Sequence, residues 1–177
     1  MNYGQPRQAN DGRYFLKGNK TIQLDNVTLD TSFSESNDLT FTLPPKAQEQ
    51  IKHVDSQNLV AAKENCSAWF KKELSDKTLN AAYTDSLKDD GTMNVTKASV
   101  KSQIVTKVFN FDKSLMGGGD SDVQEGTKCD VIFEFSGIWF SKKTFGPMWK
   151  IVQLRLKSPP SKKYSDEYLF QEGESSD

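Results

Sequence analysis

Seven cations lie between Glu134 and Asp166 with no acid among them: Lys142, Lys143, Lys150, Arg155, Lys157, Lys162 and Lys163. Trp139, Phe140, Phe145 and Trp149 are interleaved with them. Cations neutralise phosphates, and flat rings stack on bases for about 1–3 kcal/mol each without reading sequence, so the mixture suits a single-stranded nucleic-acid track. A charge run is usually only a solvated face, and Trp139 or Phe140 would equally serve a core. Beyond the cations the sign reverses. Asp166, Glu167, Glu172, Glu174 and Asp177 supply five acids and no base, with Tyr168 and Phe170 among them. Other chemistry is poorly provided for. His53 is the one histidine, so a His/Cys zinc site of the usual kind cannot be assembled, and a Ser-His-Asp or Cys-His arrangement would have to use His53, which has no accompanying motif. Gly117-Gly118-Gly119 lacks the Lys-Ser/Thr of a phosphate loop. Asp120, Asp122 and Gly126 miss calcium-loop spacing and have no Glu at the closing position. The expectation is no catalytic residue, no metal and no cofactor: not an enzyme.

Strands must hold these side chains. Residues 129–140 alternate, with Cys129, Val131, Phe133 and Phe135 on one face. Residues 148–157 alternate as well. Met148, Val152, Leu154 and Leu156 form an apolar row, with Trp149, Ile151, Gln153, Arg155 and Lys157 opposite. With residues 141–147 as the turn, the two runs read as a hairpin that projects Trp149, Gln153, Arg155 and Lys157 together. A preceding strand over 103–111 offers Lys107 and Phe109 at alternate positions. Further upstream, 14–16, 20–29 and 39–43 are short β-prone runs, broken at Gly18-Asn19 and stopped by Pro44-Pro45. Between the two β regions the spacing predicts a helix capped at Asp55-Ser56, with Leu59, Cys66, Trp69, Phe70 and Leu74 as its core stripe. A shorter helix over 78–87 follows Ser75 as cap. Strands, helices, then strands, without βαβ alternation, indicate a mainly β (α+β) protein or a small antiparallel barrel with a helical insertion.

The 177 residues suffice for about one domain. Hydrophobic residues are 35% and aromatics 11%, which favours one packed core over a disordered chain. Lys and Arg number 23 against 24 acids, so the basic stretch is a local feature and not a property of the whole chain. A flexible arm over 1–12, a folded domain over 13–163 with its helical insertion at about 44–87, and a disordered acidic tail over 164–177 are expected. No run of 18 apolar residues and no apolar leader is seen in the sequence. No membrane contact and no secretion are therefore expected. Cys66 and Cys129 are read as free buried thiols, fitting a soluble intracellular protein.

The stretch 136–153, Ser136-Gly137-Ile138-Trp139-Phe140 through Phe145-Gly146-Pro147-Met148-Trp149-Lys150-Ile151-Val152-Gln153, resembles a C-terminal signature of single-stranded DNA-binding proteins of nucleocytoplasmic large DNA viruses. That group is related to the OB-fold single-stranded DNA-binding protein of T7-like phages. The order Thr40-Phe41-Thr42-Leu43-Pro44-Pro45, then Trp69-Phe70-Lys71-Lys72, is similar too. The resemblance implies an OB-fold-like five-stranded antiparallel barrel and sequence-independent binding of single-stranded DNA. It also implies work in viral DNA replication or recombination, at the replication site of an infected cell. The DNA surface would then comprise Lys142, Lys143, Trp149, Lys150, Gln153, Arg155 and Lys157, with Lys107 and Phe109 beside them. Asp166, Glu167, Tyr168, Phe170, Glu172 and Glu174 would form a tail that competes with DNA and recruits replication proteins. The phage tail ends in an aromatic residue, whereas this chain ends in Asp177. A homodimer stays compatible with the sequence. The alternative is a non-enzymatic virion or assembly protein that docks onto another protein through the same β-rich domain.

Overall fold

The computed structural model describes residues 1–116 and 123–157. Arg7–Gln8 (β1) pairs with the start of a long strand, Tyr14–Leu29 (β2), and Asp38–Thr42 (β3) follows. Three helices come next: Pro45–Glu64 (α1), Cys66–Phe70 (α2) and Asp76–Ala82 (α3). The chain returns to strands at Thr92–Lys97 (β4), Ser99–Val100 (β5), Gln103–Ile104 (β6), Lys107–Phe109 (β7), Lys128–Phe140 (β8) and Phe145–Leu156 (β9).

β2 is one strand where the sequence suggested two. Its register against β8 shifts between Lys17 and Lys20, so Gly18-Asn19 is a bulge inside a continuous ladder and not a turn. Leu16 lies opposite Ile138 and Leu24 opposite Val131, and all four are buried. β2 also pairs with β3, β3 with β4, β4 with β9, and β9 with β8, which brings the path back to β2. The sheet is mixed, not wholly antiparallel as the sequence suggested: β9 runs parallel to both β4 and β7. Parallel neighbours need a long crossover, and β5 to β8 supply it between β4 and β9. The single strand expected over 103–111 is divided. β6 turns back on β5 as a separate two-stranded ribbon, and β7 alone joins the main sheet.

Pro44-Pro45 both ends β3 and begins α1. Proline lacks an N–H, and the first helical position needs none; Pro45 occupies it, ten residues before the expected cap. Asp55 is therefore inside the helix, not at its start. It turns inward, where the Tyr83 hydroxyl donates to its Oδ1 at 2.6 Å and the Ser86 amide to its Oδ2 at 3.0 Å. Ile51, Val54, Ala61 and Ala62 bury one face of α1. Ser75 caps α3, its Oγ accepting from the Thr78 amide at 3.1 Å. The expected stripe is core: Cys66 and Trp69 are buried, and Leu59, Phe70 and Leu74 pack against the same cluster. Phe70 stands edge-on to Phe140 and Phe145, with centroids 5.5 and 5.1 Å away, which fastens the helices to the β8–β9 hairpin. Both cysteines are free and buried. No described helix is long and apolar enough to cross a membrane.

Candidate nucleic-acid interface

Side chains alternate across a strand, so residues paired across the ladder share a face. Three successive rungs define the outward face of β2, β8, β9, β4 and β7. Thr96, Lys150, Glu134 and Thr21 make the first. Lys107, Gln153, Ile132 and Gln23 make the second, and Phe109, Arg155 and Asp130 the third. Lys150, Gln153, Arg155, Lys107 and Phe109 thus share one surface. The pairing of β7 with β9 unites residues more than forty positions apart in sequence.

Trp149 does not belong to that surface. It is 6% exposed, it lies among Phe133 and Phe135, and its indole N–H donates to Ser86 Oγ at 2.8 Å. The cause is a bulge. Opposite Ile132 and Phe133, β9 steps from Gln153 to Ile151, leaving Val152 without a partner. One extra residue reverses the phase of the alternation. Before Val152 the inward residues are Trp149 and Ile151; after it they are Leu154 and Leu156. The expected apolar row holds only beyond the bulge.

The surface is also less basic than its sequence. Asp130 and Glu134, N-terminal to the cation run, stand one strand away from Arg155 and Lys150. Asp130 accepts from Arg155 at 2.7 Å and lies 3.3 Å from Lys157. The Asn26 amide donates to it at 3.0 Å. Burial opposes its charge, but hydrogen bonds from Arg155, Asn26 and Lys157 outweigh that and hold the carboxyl below its ordinary range. Arg155 and Lys157 are therefore engaged. Lys107, Lys150 and the amide of Gln153 have no ion pair or hydrogen bond to another described side chain. Lys142 and Lys143 are exposed in the turn between β8 and β9.

Near that turn the outward face continues with residues the sequence reading passed over. Phe15 and Lys17 on β2 lie opposite Trp139 and Gly137, and Trp139 lies opposite Gly146. A Cβ on Gly146 would stand 2.8 Å from the Trp139 ring, so glycine there lets the indole lie on the sheet. Phe140, one residue on, faces the core. The signal for Lys17 was the alternation of β2, hidden by the bulge at Gly18. Gln23 and Ile132 were likewise missed. With Phe109, Gln153, Arg155 and Lys113 they wall a recess of about 210 Å³ in the outward face.

Lys162, Lys163 and the acidic segment Asp166, Glu167, Tyr168, Phe170, Glu172 and Glu174 lie outside the described residues. Among the described residues no cluster of three His, Cys, Asp or Glu could hold a metal, and His53 is exposed on α1.

Comparison with known proteins bears on this geometry. The model of a family of unknown function, DUF5871, matches residues 25–172. No curated protein matches in sequence. The single-stranded DNA-binding protein of bacteriophage Enc34 is similar in structure, with a TM-score of 0.52 at 11% identity over 100% of both chains. Its complex with single-stranded DNA gives 0.51 at 10% identity, over 90% of this chain and 98% of that one. The gp2.5 single-stranded DNA-binding protein of bacteriophage T7 gives 0.52 at 14% identity, over 86% and 98%. At such identities the likeness is one of fold.

Proposed function

We propose that this chain, which belongs to the DUF5871 family of unknown function, is a sequence-tolerant single-stranded DNA-binding protein. The observation that carries the reading is the outward face of β9. Lys150 and Gln153 stand there without a side-chain partner among the described residues, flanked by Lys107 and Phe109 from β7 and by the anchored Arg155. Cations beside a half-exposed ring, on a broad sheet surface, are what a strand of stacked bases and phosphates requires. The fold shared with the two phage proteins supports the same reading.

In this reading the returning path β2–β3–β4–β9–β8 is an OB-type barrel with α1 to α3 as an insertion between its second and third strands. Lys142 and Lys143 extend the track at the hairpin turn, while Trp149 supports it from inside. The acidic residues 164–177 act as an intramolecular counter-charge and as a docking segment for replication proteins. The protein serves DNA replication or recombination, without catalysis, in a virus-infected cell, and large DNA viruses remain the proposed source.

Fluorescence anisotropy with labelled oligo-dT over a salt series tests this. Binding is expected at low salt and should weaken with a slope of about −0.7 per phosphate neutralised. Duplex DNA should bind less well, since its bases offer no free faces. No binding to either form would overturn the reading and favour a protein-docking role in an assembly.

A further inference from the structure

The recess in the outward face is lined unlike the cationic surface around it. Phe109 contributes a half-exposed ring that meets no other ring among the described residues. Ile132 adds an apolar wall, and Gln153 brings an amide with no hydrogen-bond partner among the described residues. The Gln23 amide N–H donates to Asp25 at 3.0 Å, so its carbonyl oxygen is left to accept. The volume, about 210 Å³, is below the roughly 300–1,000 Å³ of sites for whole cofactors and drug-sized ligands. A free phosphate is a poor occupant, because the Asp130 carboxylate is also in the wall. A small, flat, neutral ring with hydrogen-bonding edges matches all of these features.

Resting on the single-stranded DNA reading, we propose that the recess takes one nucleobase turned out of the strand, with Phe109 against its face and Gln153 on its edge. Arg155, held by Asp130 at 2.7 Å, is a fixed wall and not a roaming cation; an arginine carries five N–H donors in a rigid fork, so those not facing Asp130 remain available. Lys107, level with Gln153 on the neighbouring strand, and Lys113 at the recess itself receive the phosphates on either side. Stacking alone is indifferent to base identity, whereas an amide with both a donor and an acceptor is not. The site therefore gives an otherwise tolerant protein a preference at one position in its footprint.

The test uses the full chain and oligo-dT carrying 5-iododeoxyuridine, which crosslinks under ultraviolet light to an aromatic ring stacked on it. Mass spectrometry of the adduct should find Phe109. In parallel, affinities for oligo-dT, oligo-dC and oligo-dA are compared for the native chain and for Gln153→Ala, which removes a side chain with no hydrogen-bond partner among the described residues. The native chain should rank the three oligonucleotides with several-fold differences, and Gln153→Ala should compress that ranking. Phe109→Leu, which retains an apolar residue beside Leu115, should abolish the crosslink. Binding with adducts only at Trp139, Phe15 or Tyr14, or a ranking that Gln153→Ala leaves untouched, would overturn the base site while the DNA-binding reading stands. Absence of binding to every oligonucleotide would instead bring down the DNA-binding reading on which the site rests.

Discussion

Glu134 and Lys150 illustrate how a pair of charges on adjacent strands sets the strength of the surface. They occupy opposite positions of the β8–β9 ladder and share the outward face, yet they form no ion pair in the structure. Each half-exposed charge acts on an approaching phosphate, attractive from Lys150 and repulsive from Glu134. Lys150→Ala should lower the salt slope for oligo-dT by about 0.7, the loss of one phosphate contact on a single strand. Glu134→Gln should raise affinity at low salt, and the gain should vanish as ionic strength shortens the Debye length to about 10 Å or less. Anisotropy titrations of both variants measure these effects. Equal slopes for Lys150→Ala and the native chain would remove Lys150 from the track. Arg155 is a different case. Its charge is committed to Asp130, which is 6% exposed, and removing the arginine would leave a buried carboxylate short of partners. A loss of binding in an Arg155 variant would therefore mix contact with misfolding, which makes Lys150 the cleaner probe.

Strands carry the legible part of this fold, and bulges carry the part that was not. The alternation of β8 gives its inward row, Cys129, Val131, Phe133 and Phe135, directly from sequence, because β8 itself carries no extra residue between them and so keeps a period of two. The same reasoning applied to β9 misplaces Trp149, since a single unpaired residue, Val152, reverses the faces and leaves no compositional mark. Gly18-Asn19 misled in the opposite sense, a turn-like pair that the long ladder absorbs. The start of α1 was masked because Pro44-Pro45 was read only as a stop, although proline is as much at home in a first helical turn. Among candidate site residues, the shared face of Gln153 and Arg155, and that of Lys107 and Phe109, was legible from periodicity; Lys150 joins them only because the bulge at Val152 reverses the phase, and the acids opposing them, Asp130 and Glu134, become neighbours only through strand pairing. One bulge does have a sequence signature. Gly137 sits where the β8 register shifts, at φ 149°, and a Cβ there would collide with the backbone carbonyl oxygen of Leu16 on β2. Backbone cannot yield as a side-chain tip does. Gly137→Ala should cost about 2 kcal/mol or more, lowering the melting temperature by roughly 5 °C for a domain of this size. A melting curve that superimposes on the native one would mean that β2 and β8 part easily, contrary to their long ladder.

Charge at the scale of the whole molecule responds both to pH and to the length of the chain. Asp55 and Asp130 titrate in opposite senses. Burial pushes Asp55 up, against hydrogen bonds from Tyr83 and Ser86, and nearby Asp85 adds to the rise. A carboxyl raised in the folded state takes up a proton before the unfolded chain does, so stability should increase as pH falls from neutral through the folded value of Asp55. Asp130 is depressed, so the stability it contributes is present above the ordinary carboxylate range and is lost below about pH 4 as its folded value is approached. Thermal melts from pH 8 to pH 3 should therefore pass through a mildly acidic maximum, and Asp55→Asn should flatten its neutral side. The counter-charge role proposed for the acidic segment would act over longer range. Residues 164–177 contain five acids and no base, so deleting them moves the formal charge from −1 to +4. If that segment competes with DNA for Lys107, Lys150, Lys142 and Lys143, truncation should tighten oligo-dT binding at low salt. The advantage should fade at high salt, where tethered and free charges are screened alike. A further comparison separates competition from a mere change in net charge. Tethering holds the segment at an effective concentration that short flexible linkers place in the millimolar range, so adding the peptide in trans to the truncated chain at far lower concentration should restore little inhibition. An affinity that truncation leaves unchanged at every salt concentration would reduce the segment to a solubilising extension, and the basic face would then be open to DNA at all times.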